Sequence, residues 1–162
     1  MTVKTQITFK DFLMFYLKNS LIRLIVFPLL ISIFLILNYY AEDHFEKNIL
    51  KSTLMWFIIF LILIVIRSFF RLKKVFSSNK NIQENISYTF TNENIRLEGD
   101  TFDSEFTWDA VYRVKENNEW FLIYQSAQIM NMIPKKYFTK NQILELRNII
   151  KVNNVKSKLR ND

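Results

Sequence analysis

Two kinds of hydrophobic periodicity divide this chain. From Leu21 to Tyr40 apolar residues run almost unbroken, with Arg23, Pro28, Ser32 and Asn38 as the main interruptions. A second run spans Thr53 to Phe70, where charge enters only at Arg67. A helix of some twenty residues is ~30 Å long, the thickness of a bilayer's hydrocarbon core, so each run predicts a transmembrane helix. Two core helices of a soluble protein are the alternative, but the remaining residues are too few to cover helices that are apolar on every side. A cleaved leader fits poorly as well. The first run is longer than an h-region, a second follows it, and Asn38-Tyr39-Tyr40-Ala41-Glu42 lacks a small-residue cleavage pattern.

After Lys80 the period falls to two. Ile86, Tyr88 and Phe90 alternate with polar residues, then Ile95 and Leu97, then Phe102, Ser104, Phe106 and Trp108. Tyr112 and Val114, Trp120–Tyr124 and Ile129–Ile133 continue the pattern, which predicts about six short strands. Thr91-Asn92-Glu93-Asn94, Glu98-Gly99-Asp100 and Glu116-Asn117-Asn118-Glu119 read as turns between them. Gly99 is expected to supply a positive φ. Thr139 and Gln142 form a capping-box pair ahead of Ile143, Leu146, Ile149 and Ile150, the apolar stripe of a closing helix.

The chain therefore divides into an amphipathic N-terminal segment (1–20), a first transmembrane helix (21–40) and a short extracytoplasmic connector (41–52). A second transmembrane helix with a basic juxtamembrane end (53–74), a β-rich domain (80–154) and a polar, frayed tail (155–162) complete it. In the first segment Thr8 can cap a helix with Asp11. Phe9, Phe12, Leu13, Tyr16 and Ser20 follow at helical spacing, as in an interfacial helix or one packed on the soluble domain. Pro28 is a candidate kink.

Charge orients this arrangement. The formal net charge is +7, but the bases sit beside the apolar runs: Lys4, Lys10, Lys18 and Arg23 on one flank, Arg67, Arg71, Lys73, Lys74 and Lys80 on the other. Residues 81–139 are mildly acidic, the reverse of a nucleic-acid binder, so no nucleic acid is expected. The connector mixes Glu42, Asp43 and Glu46 with Lys47 and Lys51. The positive-inside rule then puts both termini in the cytoplasm of a multi-pass protein. Tyr39, Tyr40 and Trp56 would lie at the outer interface, and Arg67 would snorkel to the inner headgroups. Sixteen phenylalanines against a single glycine also exceed what one small core needs.

A two-span hairpin followed by Tyr88-Thr89-Phe90, Phe106-Thr107-Trp108-Asp109-Ala110-Val111, a Trp120–Tyr124 strand and Ile133-Pro134-Lys135-Lys136-Tyr137-Phe138 before a helix resembles the YcxB-like membrane proteins of bacteria. The resemblance runs over nearly the whole chain and rests on order and spacing. It implies a bacterial inner-membrane location. It also implies a membrane α+β fold: a transmembrane hairpin plus a pleckstrin-homology-like (PH-like) antiparallel sheet or partly open barrel, capped by the C-terminal helix. It carries over no catalytic motif.

The chemistry offered by the residues is sparse. The chain has no cysteine and one histidine, His44. His44 with Glu42, Asp43 and Glu46 is either a weak cation site or a solvated acidic loop. One glycine cannot make a phosphate loop, and a triad lacks its histidine on the cytoplasmic side. Asp100, Asp103 and Glu105 read as a solvated strand face rather than an acid–base pair. No cofactor and no enzymatic activity are expected.

Arg71, Lys73, Lys74, Lys135 and Lys136 are the candidate contacts to anionic headgroups, although the first three also serve as the topology signal. Trp108, Trp120 and Tyr124 are the candidate lining of a partner groove, although alternation also places Trp108 in the core. These features fit a membrane-anchored cytoplasmic module that binds a protein or lipid headgroups. Two alternatives are an immunity protein against a bacterial toxin, and a transport or channel component, which would need a homo-oligomer to line a polar path.

Overall fold

The computed structural model describes residues 1–41 and 47–161, with side chains outside 20–24 and 38–50. Residues 42–46, which include the expected cation cluster at His44, lie outside the described residues, as do the side chains of Arg23, Tyr39 and Tyr40. The chain forms two compact units. One comprises Met1–Ile7 and Lys80–Asp162, the other Thr8–Asn79.

The second unit is a pair of long helices, α1 (Phe9–Ala41) and α2 (Lys47–Ser78). Thr8 opens α1 as the sequence predicts. Its hydroxyl accepts from the Asp11 amide at 3.2 Å, and the Asp11 carboxylate accepts from the Thr8 amide at 3.1 Å. The helix then continues unbroken through the expected boundary at residue 20. Pro28 lies inside it, and Ser32 donates to the Pro28 carbonyl at 2.9 Å.

The helices pack through a narrow seam. On α1, Pro28, Ser32 and Ile36 are half-buried at a spacing of four, and on α2 Thr53, Phe57, Leu61, Ile64 and Ser68 repeat every three or four residues. Between these positions the side chains, Arg67 apart, are apolar and bare, with Phe27 at 70% exposure and Trp56 at 65%. Phe9 meets Phe69 and Phe76 with ring centroids 5.7 and 5.6 Å apart, pinning the start of α1 to the end of α2. Lys51–Ser78 is long and apolar enough to cross a bilayer, while the described apolar stretch of α1 is the shorter Ile25–Leu37.

The first unit is α+β and discontinuous in sequence. Its first strand, β1 (Thr2–Gln6), precedes the helices and pairs antiparallel with β2 (Asn85–Phe90), which follows them and the short α3 (Lys80–Gln83). The N-terminal segment is therefore a strand up to Gln6, and helical only from Phe9. β3 (Asn94–Glu98) and β4 (Asp103–Thr107) complete an antiparallel sheet of order β1-β2-β3-β4.

The second sheet has the order β7-β6-β5-β8, with β5 at Arg113–Glu116, β6 at Trp120–Tyr124 and β7 at Met130–Pro134. Its last member, β8 (Ser157–Lys158), pairs parallel with β5, so the expected frayed tail is tied down. No ladder joins the two sheets among the described residues, so they do not close into one barrel.

The turns follow the predicted chemistry. The Thr91 hydroxyl accepts from the Asn94 amide at 2.9 Å, and the Asn117 side-chain oxygen accepts from the Trp120 amide at 2.7 Å. Gly99 departs from expectation, since its φ is not positive. Space is the reason for glycine here: a Cβ would lie 2.5 Å from the Phe102 ring and 2.7 Å from the Glu84 carboxylate.

α4 (Lys140–Val152) carries the full capping box at Thr139 and Gln142 and buries Leu146, Ile149 and Ile150. They join Tyr88, Phe90, Ile95, Trp108, Phe121, Ile123 and Ile133 in one core. Asn154, at φ 52°, then turns the chain toward β8, a left-handed position that asparagine tolerates.

Candidate functional site

The polar centre of the β unit is Glu116, the last residue of β5. Alternation along β5 puts Val114 and Glu116 on the inner face, and the Glu116 side chain is 0% exposed. A buried carboxylate needs partners. Arg147, itself buried on α4, donates to it from Nε at 2.9 Å and Nη2 at 2.7 Å. Lys135 Nζ adds a contact at 2.6 Å, and the Arg160 backbone amide one at 3.0 Å.

Burial alone would raise the Glu116 pKa. The hydrogen bonds from Arg147, Lys135 and the Arg160 amide outweigh it and hold the carboxyl below its ordinary range. One side chain thus ties together β5, the turn after β7, α4 and the C-terminal tail.

Over this cluster opens a groove of about 400 Å³ lined by Lys135, Lys140, Ile143, Leu144 and Arg147. Glu116 neutralises one of the two cations that flank it, and Lys140 adds a further charge at the rim, so the groove carries net positive charge. Leu144, 58% exposed, supplies an aliphatic wall. Such a lining suits an anionic group with an apolar neighbour.

The groove is tied to the first strand. Lys135–Tyr137 form a single 3-10 turn, and the Tyr137 hydroxyl donates at 2.9 Å to the carbonyl of Gln6, the last residue of β1.

The predicted site residues separate. Lys135 is engaged by Glu116, whereas Lys136 is exposed, its ammonium 5.1 Å from the Tyr137 ring centroid. Arg71, Lys73 and Lys74 are exposed near the end of α2. Trp108 is 2% exposed and its indole donates to the Thr91 carbonyl at 3.0 Å, while Trp120 is 4% exposed. The two indoles are therefore interior, and of the three aromatics only Tyr124 reaches the surface.

Glu116 and Arg147 are absent from the site that the sequence predicts. The turn pattern assigns Glu116 to a loop, and the helical stripe leaves Arg147 off its apolar face. Glu116 nevertheless continues the period of Tyr112 and Val114. A charge on the inward register was the available signal. Among the described residues no group of acids or histidine is arranged to hold a metal.

Residues 90–150 match the model of the family described as YcxB-like protein. Over 168 aligned residues, covering 96% of this chain and 90% of the relative, the chain is 24% identical to the uncharacterized protein YcxB of Bacillus subtilis (strain 168). Both findings bear out the resemblance read from the sequence. No solved structure matches the chain.

Proposed function

We propose that this protein is a non-enzymatic interaction module of the bacterial inner membrane, its PH-like domain fastened to a two-span hairpin with both termini in the cytoplasm. The observation that carries this reading is the insertion of the helix pair between two paired strands. Gln6 and Asn85 are register partners in the β1–β2 ladder, so the chain leaves the sheet and returns to it at neighbouring points. Such a hairpin crosses a bilayer an even number of times or not at all.

The bare apolar surface of both helices argues for crossing, because water would have to solvate side chains such as Phe27, Phe34, Trp56 and Phe70, each more than 60% exposed. The exposed Arg71, Lys73 and Lys74 favour the cytoplasmic side for the end of α2. Four strands, then three more, then a capping helix support the PH-like reading of the soluble unit.

The charge cluster supports a binding role over catalysis. Glu116 is ionised and saturated with donors, which suits it to hold Lys135 and Arg147 in place and not to exchange protons. The groove would take an anionic group: a lipid phosphate or a carboxylate. Lys136 and Lys140, both exposed, are the residues through which it would meet the leaflet.

Tags on both termini, probed in intact cells after adding a membrane-permeant crosslinker, test the reading. Tags shielded from external protease, together with a discrete crosslinked product that Lys140→Glu weakens, are expected. Externally accessible tags would reverse the orientation and overturn the cytoplasmic module.

A further inference from the structure

A second surface of the β unit carries an uncompensated cation. Arg113 opens β5 on the outer face of its sheet, and its guanidinium carbon lies 4.4 Å from the Tyr124 ring centroid and 5.5 Å from that of Tyr112. Register explains the arrangement: Arg113 is paired with Tyr124 across the β5–β6 ladder, and the Tyr112 amide donates to the Tyr124 carbonyl at 2.8 Å.

No acid pairs with Arg113 among the described residues, and its Nε is buried with no acceptor. Its terminal nitrogens are left to solvent. A guanidinium stacked on two rings and dry on one side has lost hydration without gaining a counter-ion, which strengthens any pairing it does make. In the same molecule Arg96 and Arg147 each have a carboxylate within 2.7 Å. Arg113 is built differently.

Its surroundings are those of a binding surface. Tyr112 is 50% exposed, so an aromatic ring lies open beside the cation. Lys115 Nζ lies 5.9 Å from the Tyr124 ring, adding a second cation to the same face. Tyrosine and arginine at the centre of a half-dry apolar patch are the residue types that dominate protein–protein binding energy.

The patch sits at the Tyr124 end of β6. The groove's Lys135 sits at the other end, where Trp120 pairs with Pro134, about 13 Å away along the strand. It is the turn at Lys135, and not the Arg113 patch, that holds Gln6, where the chain leaves the sheet. The exposed ring beside the cation, which a phosphate alone would leave uncovered, favours a protein ligand at Arg113 over a headgroup.

We infer that Arg113, stacked between Tyr112 and Tyr124, anchors a docking patch for a carboxylate-bearing segment of a second protein. The terminal guanidinium nitrogens receive an Asp or Glu side chain, or a chain terminus, end-on as a paired hydrogen bond. An apolar residue next to that acid covers Tyr112. This proposal does not depend on which side of a membrane the domain occupies.

The test uses the full chain in nanodiscs of zwitterionic lipid. A phage-displayed random heptapeptide library is panned against it, with empty discs as the subtraction. The selected peptides are expected to be enriched in Asp or Glu beside an aliphatic or aromatic residue. The best of them, synthesised, should lose about tenfold or more in affinity on Arg113→Gln, and as much when its acid is replaced by the amide. Arg113→Lys, which keeps the charge and loses the fork, should fall between. Unchanged thermal unfolding of the variants separates loss of contact from loss of fold.

Failure to select any binder, selection without acidic preference, or indifference to Arg113→Gln would overturn the proposal. So would loss of peptide binding in discs containing phosphatidylglycerol at constant ionic strength, which assigns the cation to a headgroup.

Discussion

At the scale of single residues, the chain's lone glycine and its buried glutamate show how differently residues of clear identity can be explained. Gly99 looks like a turn glycine in sequence, yet its backbone is ordinary and its neighbours exclude a side chain. Glu84 accepts from the Thr101 amide at 3.0 Å and Phe102 packs against the core, so neither neighbour yields freely. Gly99→Ala is expected to destabilise the β unit by about 1–3 kcal/mol through overpacking. Chemical denaturation should recover part of that loss in Gly99→Ala/Phe102→Leu; no recovery would mean that the crowding is not what glycine relieves.

Glu116 presents the opposite case, a charged residue where the pattern calls for an apolar one. Deleting its carboxylate would leave the buried Arg147 and the half-buried Lys135 uncompensated, a loss on the order of 3–5 kcal/mol for Glu116→Ala. Its folded-state pKa lies below its ordinary value. The stabilisation is therefore complete above the usual carboxylate range and disappears as pH falls through the lowered folded-state pKa. Thermal melts across that acid range should show a slope in the native protein that Glu116→Gln flattens. Parallel slopes in the two proteins would remove Glu116 from the acid response.

At the scale of elements, what can be read from sequence depends on how local the determinants are. Both capping pairs are legible because each is complete within four residues: Thr8 with Asp11, and Thr139 with Gln142. β2, β3 and β5 are legible because burial of one face leaves its alternation in the sequence, and β6 because a strand buried on both faces is a continuous apolar run. β1 escapes sequence reading although Thr2-Val3-Lys4-Thr5-Gln6 alternates and buries Val3 and Thr5. Five residues ahead of a strong helix start are easily read as its leader, and the partner strand lies about eighty positions away.

β8 is harder still. Two exposed residues in a polar tail carry no pattern, and what holds them is the parallel ladder to β5 together with the Arg160 amide on Glu116. Alternation puts Trp108 in the core, where it is, but on a strand; the structure gives it to a 3-10 turn after β4. Of the Glu116–Arg147–Lys135 site only Lys135 and the inward register of Glu116 show in the sequence, because its members lie far apart and their pairing is made by the fold.

At the scale of the whole molecule, the helix pair is an insertion in a sheet, and that makes the β unit separable in a particular way. Cutting the chain at Lys80 discards β1 and strips the edge of β2, leaving its ladder unpaired from Asn85 to Thr89. Replacing residues 8–79 by a short Gly-Ser loop keeps β1, because Gln6 and Asn85 are already neighbours and a hairpin-length connection can join them. The loop-closed chain is expected to be water-soluble and to unfold in one cooperative transition. The fragment 80–162 alone should melt lower by more than about 10 °C, or aggregate, because it loses the ladder and the burial of Val3, Thr5 and Ile7. Circular dichroism melts of the two proteins decide the matter. Equal midpoints would mean that β1 decorates the sheet without supporting it, and the insertion would then say nothing about how the domain is built. A lower midpoint for the fragment means that the first strand belongs to the fold. The chain then enters and leaves residues 8–79 from adjacent points of one stable sheet, which is what a domain fastened to a hairpin requires.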